Sequence, residues 1–114
     1  DWIKLMAEKP IVFAMANPMP EIMPDIALKA GAFIVGTGRS DFPNQINNVL
    51  CFPGLFRGLL DYNVKIVTDK IKISAAEAIA KLVNKTELSQ KKIIPPVFDK
   101  RVARAVALAV KNAN

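Results

Sequence analysis

The chain has 114 residues, of which 52% are hydrophobic and 23% are charged. This is the size and composition of one small globular domain, and it is too short for a two-domain enzyme. The sequence has no histidine and one cysteine, Cys51, which excludes a histidine-based triad, a His–Cys zinc site and an intrachain disulfide within the chain. No apolar run approaches the ~20 residues of a membrane-spanning helix, so we expect no membrane partner.

Positive charge is concentrated in the second half of the sequence. Residues 1–60 hold five basic and five acidic side chains, whereas residues 61–114 hold eleven basic and five acidic ones. A basic tail of this kind can bind nucleic acid, but its lysines are scattered and aromatic residues rarely lie between them. We therefore interpret it as a solvated helical surface and expect no nucleic acid partner. The lone Cys51 is interpreted as a small buried hydrophobe, and it favours a reducing, cytoplasmic location.

The first residues predict that the chain is a piece of a longer polypeptide. Trp2, Leu5 and Met6 have the spacing of one face of an amphipathic helix that begins partway along its length. No initiator methionine and no signal-like segment precede them.

Two apolar runs predict neighbouring strands of a parallel sheet. Ile11–Ala16 is continuously apolar and stops at Asn17-Pro18, which is typical of a strand buried on both faces. A short helix is predicted around Pro24–Ala30, with proline in its first turn and Gly31 at its C-terminal end. Ala32–Gly36 forms the second apolar run, and the order strand, helix, strand is that of a βαβ unit.

The remainder of the chain is predicted to be helical. Asn44 is expected to cap a helix that Pro53-Gly54 bends or breaks. Either Thr68 or Asp69 caps the next helix, and Asp99 caps the last. Each helix has one apolar stripe, which predicts close packing here or against a partner subunit. The stripes contain Ile46, Val49, Leu50 and Pro53; Ile71, Ala75, Ala78, Ile79 and Leu82; and Val102, Ala105, Val106, Ala109 and Val110.

Candidate ligand-binding residues follow the two predicted strands, because ligands of open α/β sheets bind beyond the carboxyl ends of the strands. Asn17 closes the first strand, and a Gly-x-Gly formed by Gly36 and Gly38 closes the second. Asn47 and Asn48 fall in the first turn of the next predicted helix, where free N–H groups attract anions. Each feature also has an ordinary structural explanation: an asparagine before proline forms turns, a Gly-x-Gly without a third glycine is weak, and asparagines cap helices.

Together these segments resemble malic enzymes of the bacterial type. Phe13–Ile22 reads FAMANPMPEI, Gly36–Val49 reads GTGRSDFPNQINNV, and Phe52–Gly54 reads FPG. They occur in the order of that family, and the likeness covers about residues 9–60. The resemblance implies an α/β fold: residues 1–60 are the distal, C-terminal part of a Rossmann-type parallel-sheet NAD(P)-binding domain. Residues 61–114 are a helical C-terminal tail that packs on that domain or on a partner subunit.

The resemblance also implies an activity and a set of binding residues. The activity is oxidative decarboxylation of malate to pyruvate and CO2, with NAD or NADP and a divalent metal, Mg or Mn. Asn17, Asn47 and Asn48 correspond to the family's malate and nicotinamide pocket, with the backbone of Gly36 and Gly38 near the cofactor. On an α-helix, neighbouring side chains point ~100° apart, so which of the two adjacent asparagines contacts malate stays open.

Other motifs of the family have no counterpart in this sequence. These are the general acid tyrosine, the general base lysine, the acidic metal-binding cluster and the glycine-rich nucleotide loop. We therefore expect no catalytic or metal-binding residue within the chain, and we expect its partners to be the remainder of a malic enzyme polypeptide and other copies of it in a homo-oligomer, as in a homodimer. Two alternatives are the end of another Rossmann-type dehydrogenase and a non-catalytic basic interaction or nucleic-acid-binding module.

Overall fold

A computed structural model describes residues 2–113 of the chain. In chain order it contains β1 (Ile11–Ala14), α1 (Pro24–Lys29), β2 (Ile34–Thr37), α2 (Phe52–Asp61), α3 (Asp69–Ala80) and α4 (Arg101–Ala113). Two 3₁₀ turns, Trp2–Leu5 and Asn48–Leu50, accompany them. No helix within residues 2–113 is both long and apolar enough to cross a membrane.

The chain forms two compact units. The first takes the chain up to Asn47 together with Thr86–Ile93, and the second takes Asn48–Lys85 together with the residues from Ile94 onward. The division expected near residue 60 concerns the domains of a longer protein, and it stays a prediction.

The first unit is built on the predicted strand–helix–strand arrangement. β1 and β2 pair in parallel, with Ile11 opposite Ile34 and Ala14 opposite Thr37. Between them, α1 begins with proline in its first turn and ends at Ala30. The following Gly31 has a φ of 108°, a conformation that residues with a Cβ atom rarely adopt. The predicted parallel pairing, short helix and glycine terminator are therefore confirmed.

The strand β1 is shorter and more exposed than its sequence predicts. It ends at Ala14, and beyond this end the backbone N–H of Ala16 donates to the carboxylate of Glu21. Ile11 is 53% exposed and Phe13 46% exposed. The expectation that β1 is buried on both faces is therefore wrong for this chain by itself, and for the longer polypeptide that the sequence predicts it stays a prediction.

The N-terminal segment also differs from its predicted form. The expected amphipathic helix is a single 3₁₀ turn, Trp2–Leu5, and the side chains of Trp2 and Leu5 are exposed. Ile3 alone of this turn packs against the small apolar core of the first unit, which includes Ala27 and Val35.

The second unit is a packed set of three helices. The Thr68 hydroxyl accepts a hydrogen bond from the N–H of Ile71 at 3.3 Å at the start of α3, and Asp99 accepts one from the N–H of Arg101 at 3.0 Å at the start of α4. Both predicted caps are therefore confirmed. The buried core combines residues from α2, α3 and α4 with one from the 3₁₀ turn: Leu50, Leu55, Ile71, Ala75, Val102, Val106, Val110 and Ala113.

The predicted helix from Asn44 is wrong in its start and in the effect of its proline. Asn44 has a left-handed φ of 57°, which ends any helix at that residue, and its side chain bonds elsewhere. Pro53 and Gly54 lie in the first turn of α2 rather than bending it, because a proline there loses an N–H that has no helical partner anyway. Cys51, just before α2, is partly buried, and this burial raises the pKa of its thiol.

Two glycines let α2 approach α4 closely. A Cβ atom on Gly54 would lie 2.7 Å from the Cβ of Val106, and one on Gly58 would lie 2.7 Å from the Cβ of Val110. Both valines are fully buried, so neither has room to move aside.

We expect Gly54→Ala and Gly58→Ala each to lower the free energy of unfolding by ~1–3 kcal/mol through overpacking. The sign of this change in stability is informative, because a glycine-to-alanine substitution at an uncrowded helix position raises the free energy of unfolding by ~0.5–1 kcal/mol. Ala76→Leu, at an exposed position of α3, is the control and should be near neutral. Chemical denaturation measures all three, and a stability gain in either glycine variant would contradict the close contact.

Candidate functional site

The carboxyl ends of β1 and β2 define one edge of the first unit. The parallel pairing places Ala14 beside Thr37, so the loops that follow both strands leave from the same edge. Asn17 lies in the first loop, is exposed, and is joined to Pro18 by a cis peptide bond. The second loop begins at Gly38.

The first loop is held by the carboxylate of Glu21. Its Oε2 accepts a hydrogen bond from the N–H of Ala16 at 3.1 Å. Hydrogen bonds from its own backbone N–H and from that of Ala16 lower the pKa of Glu21, because they stabilise the ionised carboxylate that accepts them. This hydrogen bond joins residues 16 and 21, so the segment that contains Asn17 forms a closed turn.

The two glycines after β2 have different surroundings. A Cβ on Gly36 would lie 2.7 Å from Cγ1 of Ile46 and 3.0 Å from Cδ1 of Phe13, so protein side chains fill the space beside this residue. A Cβ on Gly38 would meet only the carbonyl of Ile46, at 3.7 Å. Gly38 is therefore the glycine with room for a ligand to approach its backbone.

Asn44 organises the second loop, although the sequence offered it only as a helix cap. Its side-chain N–H groups donate to the carbonyls of Val35 at 3.0 Å and Gln90 at 2.8 Å. Its Oδ1 accepts from the N–H of Ile93 at 3.0 Å, and its own carbonyl accepts from the N–H of Thr37 at 3.3 Å. No local sequence signal could have shown this, because two of the partners lie more than 45 residues away.

Charged residues in the same loop pair with each other. Arg39 donates two hydrogen bonds to Asp41, at 2.9 and 2.7 Å, and its guanidinium lies 5.7 Å from the ring centroid of Phe42. The hydrogen bonds raise the pKa of Arg39 and lower that of Asp41. The pair is solvent-exposed, so its contribution to stability is small, and the charge of Arg39 is balanced locally.

The two adjacent asparagines are not in an α-helix. Asn47 is half-buried at the end of the first unit, and Asn48 is exposed and opens the 3₁₀ turn Asn48–Leu50. The first α-helix after them starts only at Phe52. The prediction that they occupy the first turn of an α-helix is therefore wrong, and the ~100° relation between their side chains does not apply.

No group of three or more acidic or cysteine side chains within residues 2–113 is arranged to hold a metal ion. Of the carboxylates near the strand ends, Asp41 is paired with Arg39 and Glu21 accepts from backbone N–H groups. The described residues therefore do not form a complete site for a divalent metal by themselves.

The side chain of Thr37 ends β2 fully buried, and its hydroxyl oxygen has no hydrogen-bond partner in the described part of the chain. Burial of an unpaired hydroxyl costs ~1–3 kcal/mol, whereas valine has the same shape without the oxygen. We expect Thr37→Val to leave the free energy of unfolding unchanged or to raise it.

Thr68→Val is the matched control for this substitution, because it removes a hydroxyl that caps α3 and should lower stability by ~1 kcal/mol. Thermal and urea unfolding would compare the two variants. A loss of stability in Thr37→Val as large as in the control would show that the Thr37 hydroxyl has a partner after all.

Comparison with known proteins identifies the family. The family model described as the malic enzyme NAD-binding domain matches residues 2–114. Over 113 residues the chain is 60% identical to the bifunctional malic/malolactic enzyme of Bacillus subtilis strain 168, covering 99% of this chain and 28% of that protein. Over 111 residues it is 52% identical to the NAD-dependent malic enzyme of Geobacillus stearothermophilus, covering 97% of this chain and 23% of that protein.

A solved structure gives the same assignment. The crystal structure of malic enzyme from Pyrococcus horikoshii Ot3 matches with a TM-score of 0.91 at 53% sequence identity, covering 98% of this chain and 26% of that one. The predicted resemblance and the α/β Rossmann-type class are thereby confirmed, and the chain spans about a quarter of the length of these relatives. The chain belongs to the malic enzyme family, and it forms part of the NAD-binding domain.

Proposed function

We propose that this chain is part of a longer enzyme that oxidatively decarboxylates malate to pyruvate and CO2 and reduces NAD or NADP. The observation that carries the proposal is the match to the malic enzyme NAD-binding domain over residues 2–114. The fold supports it, because both strand ends lie at one sheet edge, the place where α/β proteins bind nucleotides and substrates.

We assign the binding of malate and nicotinamide in this region to side-chain amides. Asn17 is exposed in the loop after β1, and Asn47 or Asn48 provides a second amide. An amide donates hydrogen bonds to a carboxylate or to the nicotinamide carboxamide without adding charge to a site that already holds a dianion. The backbone at Gly38, and less directly at Gly36, then lies near the cofactor.

The chemical step requires residues outside this chain. The divalent metal, Mg or Mn, and the acid and base that move protons belong to the remainder of the polypeptide in this proposal, because the described residues hold no group of three or more possible metal ligands. The chain's own contribution is to bind and orient the substrate and the nicotinamide ring.

The setting of the enzyme is a further part of the proposal. We place it in the cytoplasm as a homo-oligomer. A sequence with one cysteine suits a reducing compartment. Exposed apolar side chains on α2, among them Phe56 and Leu60, require a covering surface in the complete protein.

The isolated 114-residue chain should show no malate-dependent reduction of NAD or NADP. The reason is that no described group fits the metal and that no residue matches the family's acid and base. Absorbance of the reduced nicotinamide at saturating malate and Mg²⁺ or Mn²⁺ would test this, with a mock purification as the control. Turnover that co-purifies with the chain would contradict the assignment of catalysis to the rest of the protein.

Asn17→Ala in the full-length enzyme should lower kcat/KM for malate by roughly 5- to 150-fold, because a lost hydrogen bond to a charged or buried group costs ~1–3 kcal/mol. Asn17→Asp should lower it further, because a carboxylate would then face an anionic substrate. Asn84→Ala, at an exposed position of the second unit, is the control and should change neither kinetics nor melting temperature.

The alternative is that Asn17 only shapes the turn before Pro18. In that case aspartate, which forms the same turns, would substitute with normal kinetics, and alanine would lower the melting temperature more than the activity. Steady-state kinetics and melting curves for the three variants separate these outcomes.

A further inference from the structure

One buried side chain connects the loop after β2 to a distant part of the sequence. Asn44 is 6% exposed, and its amide uses both N–H groups and its oxygen in hydrogen bonds to backbone atoms. One of these bonds goes to Val35 in β2, and two go to Gln90 and Ile93. These last two belong to the Thr86–Ile93 segment, which the chain returns to the first unit after α3.

The backbone of Asn44 fixes the loop against the end of β2. The carbonyl of Asn44 accepts from the N–H of Thr37 at 3.3 Å, and the N–H of Ile46 donates to the carbonyl of Thr37 at 2.8 Å. Gln45 then reaches back to the carbonyl of Gly38 with its side-chain N–H, at 3.2 Å. As a result, Gln45 forms a parallel β-bridge with Thr37 at the end of β2.

Three requirements meet at position 44, and asparagine meets all of them. The φ of 57° favours glycine, asparagine or aspartate. The carbonyls of Val35 and Gln90 need two donors, and the N–H of Ile93 needs an acceptor. Glycine has no side chain to meet these needs, and aspartate has no donors.

We propose that Asn44 is a positioning residue for the second loop, residues 38–47, which follows β2 and contains the proposed binding residues Gly38 and Asn47. By tying residues 38–47 to β2 and to the Thr86–Ile93 segment, it sets the place of the Asn47 side chain, three residues along, and of the Gly38 backbone. The inference rests on the proposed function, since it assigns Asn44 a role through the binding residues rather than at the reacting atoms. In this proposal the Thr86–Ile93 segment, which lies outside the strand–helix–strand unit in sequence, stabilises the loop through its two hydrogen bonds with Asn44.

The test is made in the full-length enzyme with Asn44→Gly, which keeps the left-handed backbone and removes all three side-chain bonds. We expect KM for malate to rise at least tenfold, with a smaller fall in kcat, at a temperature where the variant is fully folded. Asn44→Asp, which keeps the acceptor but loses both donors, should give a loss in the same direction, and it serves if the glycine variant does not fold.

Two further measurements separate positioning from stability alone. Thr68→Ala removes the cap of α3 in the second unit, so it should lower the melting temperature and leave KM unchanged. Hydrogen exchange should lose protection at the amides of Ile46 and Ile93 in Asn44→Gly, while the amide of Leu55 in α2, which bonds to the carbonyl of Cys51, keeps its protection.

Each outcome decides one point. A wild-type enzyme that does not reduce NAD or NADP with malate overturns the proposed function, and the exchange data alone then decide whether Asn44 fixes the loop. An active wild type with unchanged KM and kcat in both Asn44 variants overturns the positioning role. Unchanged protection of the Ile46 and Ile93 amides in a folded Asn44→Gly variant would show that the Asn44 side chain does not fix the loop.

Discussion

The parallel pairing of β1 with β2 is the constraint on which the candidate site depends. Because both strands run the same way, the connection between them must cross the sheet, and α1 provides that crossing. Both carboxyl ends then lie at one edge. Asn17 and Gly38 are about 20 residues apart in sequence, and they follow neighbouring strand ends only because of this pairing. An antiparallel pair would send the two loops to opposite edges.

Strand pairing alone does not determine the conformation of the second loop. The hydrogen bonds of the Asn44 amide order it. A ten-residue loop has many conformations of similar energy, and ordering its backbone costs about 1–2 kcal/mol per residue. Three side-chain hydrogen bonds and the bridge between Gln45 and Thr37 offset part of that cost. Because two of those bonds come from residues 86–93, the loop is complete only when the later chain has returned to the first unit.

The second unit is stabilised differently, by close packing with little polar structure inside it. Gly54 and Gly58 let α2 approach α4, and the fully buried Val106 and Val110 fill the contact. Basic side chains of this part lie at the surface, where Lys72 and Lys81 pair with acidic residues of α3. Such exposed pairs contribute little to stability, so the apolar core, which includes Ile71 and Ala75 of α3, stabilises this unit.

Sequence alone determined the features that depend on neighbouring residues. The apolar runs predicted two strands, and Pro24 and Gly31 predicted the limits of α1, because proline and glycine act on their own backbone dihedrals. Thr68 and Asp99 marked helix starts for a similarly local reason, since a cap bonds an N–H two or three residues away. The motifs around Asn17 and Asn47 led to the malic enzyme family, which the comparison with known proteins confirmed.

Only the tertiary structure decided the features that depend on distant partners. Asn44 looked like a cap, but its bonds to Gln90 and Ile93 require a segment more than 45 residues away, and these hold the backbone in a non-helical conformation. Gly36 and Gly38 read alike in sequence, yet the side chains of Ile46 and Phe13 fill the space beside the first and leave the second open. The exposure of β1 in this chain depends on what packs against its two faces, and no local sequence pattern contains that information.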